Sequence, residues 1–207
     1  MDAGTTWSVK LTNGQTMTYR IIGINHDDLA DGRGKAGLTF WTIDIRLGSA
    51  QMNATNSNVG GWEKSELRAK MNSGEIWNLM PADFQSKLKS VKKLTNNIGG
   101  GDENKNASVT ATTDKLFLLS YSEIVPTSYW AAGYPWTSSE GAQYEAFRGK
   151  VFNNYSSNAC LQFAGKWWER SAYPKNSSWF LGVYTDGNPS APSGAGATHL
   201  LRPAFRF

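Results

Sequence analysis

Three groups of side chains in this 207-residue chain are of types that could do chemistry. Asp27, Asp28 and Asp31, beside Gly32 and Gly34, are oxygen donors of the kind that hold a hard cation. Their spacing lacks the alternate-residue pattern of a calcium loop and has no closing Glu, so no metal site is expected there. Glu140, Glu145 and Glu169 lie among aromatic residues and could be imagined as an acid and base pair. With Arg148 and Arg170 so close in sequence, structural ion pairs are the expected role. The two histidines, His26 and His199, stand near opposite ends of the chain, and no His-x-x-x-His, Gly-x-Ser-x-Gly or phosphate-loop pattern accompanies them. Cys160 is the single cysteine, which excludes an internal disulfide and a thiolate metal cluster and leaves a small buried hydrophobe. No catalytic residue, cofactor or metal is therefore expected.

The segment from Trp167 to Phe207 carries a different signal. Firm anchors (Trp167-Trp168, Phe180-Leu181, Val183, Pro203-Ala204-Phe205) alternate with patchworks of Ser, Ala, Gly, Thr and Tyr that follow no structural period. Rigid rings set among small adaptable residues are also the composition of a paratope, where rings supply contact area at low entropic cost.

The elements that must position these residues follow from periodicity. Trp7–Leu11, the turn Asn13-Gly14 and the run from Met17 to Ile24 read as a hairpin. Leu38 to Ile45 reads as a buried strand, and Val109 to Thr113 and Lys115 to Ser120 as two more. Ser65 to Asn72 has apolar residues at helical spacing and closes on Ser73-Gly74. Pro81 opens a second amphipathic helix through Phe84, Leu88 and Val91 to about Lys92, with Lys87, Lys89, Lys92 and Lys93 on its solvated face. Asn96 to Asn106 reads as a mobile loop or flap. From Tyr121 onward periodicity weakens and rings thicken: Tyr129, Trp130, Tyr134, Trp136, Tyr144, Phe147, Phe152 and Tyr155 imply irregular backbone held by aromatics.

Composition agrees with a loop-rich single domain spanning 1–207. Aromatics reach 13% against only 18% charged residues, and the 21 glycines supply turns rather than long helices. The net charge of +4 lacks the arginine and aromatic interleaving of a nucleic-acid surface, so no nucleic-acid partner is expected. No stretch approaches the roughly 20 apolar residues that span a bilayer, so no membrane insertion is expected either.

Several ordered motifs carry a family resemblance: Trp168-x-Arg170-Ser171, Phe180-Leu181-x-Val183, Asp186-Gly187 and Arg202-Pro203-Ala204-Phe205-Arg206. They resemble the variable proteins of diversity-generating retroelements, in the C-type lectin subgroup similar to the formylglycine-generating enzyme. Gly60-Gly61-Trp62-Glu63-Lys64-Ser65-Glu66-Leu67-Arg68, Asn72 and the Pro81 helix resemble a lectin-like domain of surface proteins in gut bacteria and their phages.

The resemblance implies an α+β C-type lectin fold, with short antiparallel sheets, two helices and long irregular aromatic-rich loops. It also implies a variable ligand-binding segment at about 168–207, in which adenine-directed mutagenesis rewrites codons. Trp168, Arg170, Phe180, Leu181, Val183, Arg202, Pro203 and Phe205 would be scaffold. Ala172, Tyr173, Lys175, Ser178, Trp179, Gly182, Tyr184, Thr185, Ser190, Ser193, Ala195, Ala197, Thr198 and His199 would face the ligand. Trp179 fits this set poorly, because adenine changes alone do not turn an asparagine codon into a tryptophan codon. The implied function is non-enzymatic binding of a protein or glycan receptor, from a phage tail or bacterial cell surface; a fixed-specificity carbohydrate module is the alternative. The enzyme of similar fold needs a reactive cysteine pair and copper, and one cysteine cannot supply the pair.

Overall fold

The computed structural model describes residues 4–126, 129–151 and 155–207; Phe152 lies outside them. Among the described residues the strands are β1 (Thr6–Lys10), β2 (Thr16–Ile24), β3 (Asp28–Leu29), β4 (Leu38–Thr42), β5 (Ser49–Gln51), β6 (Val91–Asn96) and β7 (Val109–Asp114). They continue with β8 (Leu116–Phe117), β9 (Trp167–Ala172), β10 (Trp179–Val183), β11 (Ser193–Gly194), β12 (Thr198–Leu200) and β13 (Ala204–Arg206). The α-helices are α1 (Glu66–Asn72), α2 (Ala82–Lys87) and α3 (Tyr121–Ile124).

The strands form three sheets, in the orders β1-β2-β4-β13-β8, β11-β10-β9-β12-β5 and β3-β6-β7. Every pairing is antiparallel except β12 against β9, which meet in parallel at Leu200 and Trp167. Helices set beside antiparallel sheets make this an α+β fold. Among the described residues no helix is long and apolar enough to cross a membrane.

The expected hairpin forms, with Trp7 opposite Tyr19 and Val9 opposite Met17. Period-2 alternation turns Met17 and Tyr19 inward, and Tyr19 meets Phe40, Phe84 and Phe205 edge to face. Helix α1 begins where Ser65 Oγ accepts the Arg68 N–H at 3.2 Å, and it buries Leu67 and Met71 one turn apart.

Three expectations need correction. Helix α2 stops at Lys87 and does not reach Lys92, because Val91–Asn96 pairs with β7 as a strand. Spacing of four and three at Phe84, Leu88 and Val91 suits a helix, but the alternation Val91, Lys93, Thr95 also suits a strand, and pairing decides. Lys93 is consequently buried, not on a solvated face. The strand expected over Lys115 to Ser120 is confined to β8; Ser120 and Glu123 form a capping box that starts a third helix, α3. Ser120-x-x-Glu123 is the sequence pattern of a helix start, and here it outweighs the strand-like run before it.

Candidate ligand-binding site

The loop joining β9 to β10 is closed by the Tyr173 N–H donating to Trp179 O at 2.9 Å. Inside it, Asn176 Oδ1 accepts from Ser178 N at 2.9 Å and Trp179 N at 3.0 Å, which fixes the turn. From below, Asn58 Nδ2 donates to Asn176 O and Trp179 O at 2.9 and 2.6 Å. Gly101 N donates to Pro174 O at 2.7 Å, and a Cβ on Gly100 would overlap Tyr173 O and Asn176 O. Only glycine lets these two backbones approach so closely. The segment Asn96–Asn106, expected as a mobile flap, is therefore a buttress: Asn96, Gly99, Gly100 and Gly101 are buried against the loop it supports.

Above this base runs a row of rings. Tyr155 meets Tyr129 at 4.7 Å between centroids, Tyr129 meets Trp130 at 5.1 Å, Trp130 meets Tyr173 at 5.5 Å and Tyr173 meets Trp179 at 5.7 Å. Tyr129, Tyr155 and Trp179 are exposed, and the Lys175 ammonium lies 5.4 Å from the Trp130 ring centroid. All but one of these contacts are edge to face, so the row is faceted and not flat.

Behind it lies a buried charge chain. Lys93 Nζ reaches Asp27 Oδ1 at 2.6 Å and Glu123 Oε1 at 2.5 Å, while Arg170 Nη1 reaches Glu123 Oε2 at 2.5 Å. Arg170 further donates to Thr95 Oγ1 and to the carbonyls of Leu94, Leu118 and Glu140. Burial raises the Asp27 carboxyl, but Lys93 and Thr39 outweigh it and hold it down to about 2. Burial also raises Glu123, and the Arg170 and Lys93 charges bring it below the ordinary carboxylate value. Two carboxyls go the other way. Burial pushes Glu140 up to about 7 despite hydrogen bonds from Ser171 and Asn96, and Glu169, buried beside Glu140, is raised well above the usual range. Neither Glu169 oxygen has a hydrogen-bond partner.

The structure divides the fourteen expected ligand-facing residues. Lys175, Trp179, Tyr184, Thr185 and Thr198 are exposed, and Tyr173, Ser178, Ser193, Ala197 and His199 are half-buried. The other four are buried and cannot meet a ligand. Ala172 pairs with Phe180 inside the sheet. A Cβ on Gly182 would sit 2.5 Å from Trp167 O. Ala195 is held by backbone hydrogen bonds to Ser178, Met52 and Asn53, and Ser190 is tucked beneath the row with its N–H on Asn188 Oδ1. Alternation within a segment gave no means of telling these from their exposed neighbours. Tyr129, Trp130 and Tyr155, far upstream in sequence, complete the row and were not anticipated as binding residues.

The carboxylates considered first are occupied by protein donors. Asp27 is in the charge chain, Asp28 pairs with Lys35 at 2.8 Å, and Asp31 accepts from the Arg33 N–H. Glu145 pairs with Arg148 at 3.3 Å as expected, whereas Arg170 takes Glu123, not Glu140 or Glu169. A cleft of about 410 Å³ lined by His26, Asp28, Lys35, Glu145 and Arg148 has Lys93 and Asp27 for its floor. Lys93 spends its three protons on Asp27, Glu123 and Tyr144, so that floor offers a ligand little. Cys160 is half-buried and free.

A family model described as "Domain of unknown function (DUF6273)" matches residues 36–207. No curated protein and no solved structure matches the chain.

Proposed function

The chain belongs to the DUF6273 family, and from its geometry we propose that it is a receptor-binding domain of the C-type lectin fold. The observation that carries this reading is the row Tyr155, Tyr129, Trp130, Tyr173 and Trp179, set on a loop that is pinned from beneath. Large rings on a pre-organised backbone lose little entropy on binding and dominate interface energies. The exposed side chains around them can change without disturbing the glycines and Asn58 that hold the loop, as a variable protein of a diversity-generating retroelement requires. Edge-to-face rings make a faceted surface that suits a protein partner better than the flat face of a sugar, so a protein receptor at a phage tail tip or bacterial surface leads. A fixed carbohydrate-binding module is the second reading.

Deep sequencing of the locus across a natural population tests it. Adenine-templated changes should fall on Tyr173, Lys175, Ser178, Tyr184, Thr185 and Thr198, and spare Ala172, Gly182, Ala195 and Arg170. An invariant segment would overturn the variable-protein reading and leave fixed specificity. Truncating Tyr129 or Tyr173 to Ala should weaken capture of the receptor by about 1 to 4 kcal/mol without changing the fold.

A further inference from the structure

The second sheet brings three polar side chains into contact with one another, an arrangement that the binding reading does not explain. Ser193 Oγ stands 2.8 Å from His199 Nε2 and 2.6 Å from Lys166 Nζ. Lys166 immediately precedes β9, Ser193 opens β11 and His199 is the middle of β12, and the sheet brings them together. The Leu200 N–H donates to Lys166 O at 2.9 Å, which locks β12 beside the lysine. Lys166 Nζ also donates to Pro192 O at 2.8 Å and lies 4.8 Å from the centroid of the Tyr184 ring. The His199 ring is held edge-on against Trp168, 4.5 Å between centroids. All three residues are half-buried and none is sealed in the core.

The proton arrangement follows from the donor inventory. Lysine can only donate while charged, so its N–H meets the Ser193 oxygen, and the hydroxyl proton turns to His199 Nε2 as acceptor. That is the nucleophile-to-base contact of acyl transfer, at hydrogen-bond length and with the imidazole fixed by packing. We propose that Ser193 is a nucleophile toward carboxylic esters, with His199 as its base and Lys166 as a second proton acceptor that controls it. Ser193 Oγ bonds to the ester carbonyl carbon as its proton passes to His199 Nε2. The carbon–oxygen bond to the alcohol breaks, the alcohol leaves with the proton from His199, and Ser193 is left acylated. Water, deprotonated by His199, then releases the carboxylic acid and restores Ser193.

The local charges give this chemistry a distinctive pH dependence. Burial and the Lys166 charge press His199 down to about 4, so an imidazolium beside the ammonium is costly and acylation is slow. Burial lowers Lys166 to about 8, partly opposed by Glu169. Glu169 and His199 are the titratable groups facing this lysine, with Tyr184 and Ser193 completing its surroundings. Once Lys166 loses its proton, His199 becomes a better base and the free amine can itself accept a proton. Reactivity should climb through pH 8.

The test treats the folded protein with p-nitrophenyl acetate and with a fluorophosphonate probe between pH 6 and 9, reading intact mass and peptide maps. The expected result is one adduct at Ser193, forming faster through about pH 8, with Lys166→Met abolishing the climb. His199→Ala should slow labelling on the order of 100-fold. Thermal unfolding of each variant checks folding, and His199→Asn serves if His199→Ala does not fold. Labelling at other residues, an unchanged rate in a folded His199 variant, or no adduct at Ser193 would overturn the assignment.

Discussion

Substituting Glu140 by Gln isolates one buried acid whose ionisation works against the fold. In the folded chain Glu140 is fully buried, with Asn96 N donating to Oε1 at 2.9 Å and Ser171 Oγ donating to Oε2. These donors and Arg170 favour the carboxylate, yet burial outweighs them and raises the group from 4.5 to about 7. An acid raised on folding holds its proton more tightly in the folded state. Its contribution to stability is therefore complete below about pH 4.5 and is lost as pH rises through about 7. At about 1.36 kcal/mol per pH unit, the whole loss is on the order of 3 kcal/mol. Glutamine keeps the shape, accepts from Asn96 N at its carbonyl oxygen, donates from its NH2 to Ser171 Oγ and has no proton to lose. Urea unfolding at pH 5 and pH 8 should show wild type losing about 3 kcal/mol more than Glu140→Gln over that interval. Glu169 is raised in the same sense, partly by the Glu140 charge, so the difference between the two proteins reads Glu140 together with its coupling to Glu169. Parallel pH profiles would refute the assignment of a proton to Glu140 near neutrality.

Two further substitutions probe the interior. Asp114 is buried and accepts from Trp62 Nε1 at 3.0 Å, Arg68 Nε at 2.6 Å and Thr112 Oγ1 at 2.6 Å. Asp114→Ala strands all three donors and should cost about 3 to 5 kcal/mol in denaturant unfolding; a loss under 1 kcal/mol would show that water replaces the carboxylate. Glu169→Met fills a similar volume without two unpartnered oxygens, so at pH 8 it should raise the stability by about 1 to 3 kcal/mol. A lowered melting temperature would mean that this carboxyl has a partner of its own.

What the sequence revealed was local. Asn13-Gly14 and the alternation on both sides gave the first hairpin, and Ser65 with Leu67 and Met71 gave the first helix, because each signal is complete within a dozen residues. The ambiguous stretch was Phe84 to Asn96, where apolar spacing fits helix and strand alike and only the distant partner Val109–Asp114 decides. The buried charge chain was illegible for the same reason. Lys93 meets Asp27 across 66 positions and Arg170 meets Glu123 across 47, and nothing near any of the four singles out its partner. At the candidate site, Tyr173, Lys175 and Trp179 were readable as display residues. Their upstream partners Tyr129, Trp130 and Tyr155, and the glycine buttress beneath, come from folding over distances that composition does not encode. The alignment of Lys166, Ser193 and His199 likewise exists only once the second sheet has formed.

The position of β13 bears on how this protein is made. Ala204–Arg206 fills the gap between Leu38–Thr42 and Leu116–Phe117, and Thr42 Oγ1 donates to Pro203 O across 161 positions. A ribosome must therefore deliver every residue through Arg206 before the first sheet can become continuous, and until then two strand edges stay open. Contacts of such long range slow folding and prolong the exposure of apolar edges to other nascent chains. Synthesis at lower temperature, or with a holdase chaperone in excess, should raise the yield of native protein, whereas a stop codon ahead of Ala204 should yield chains that aggregate.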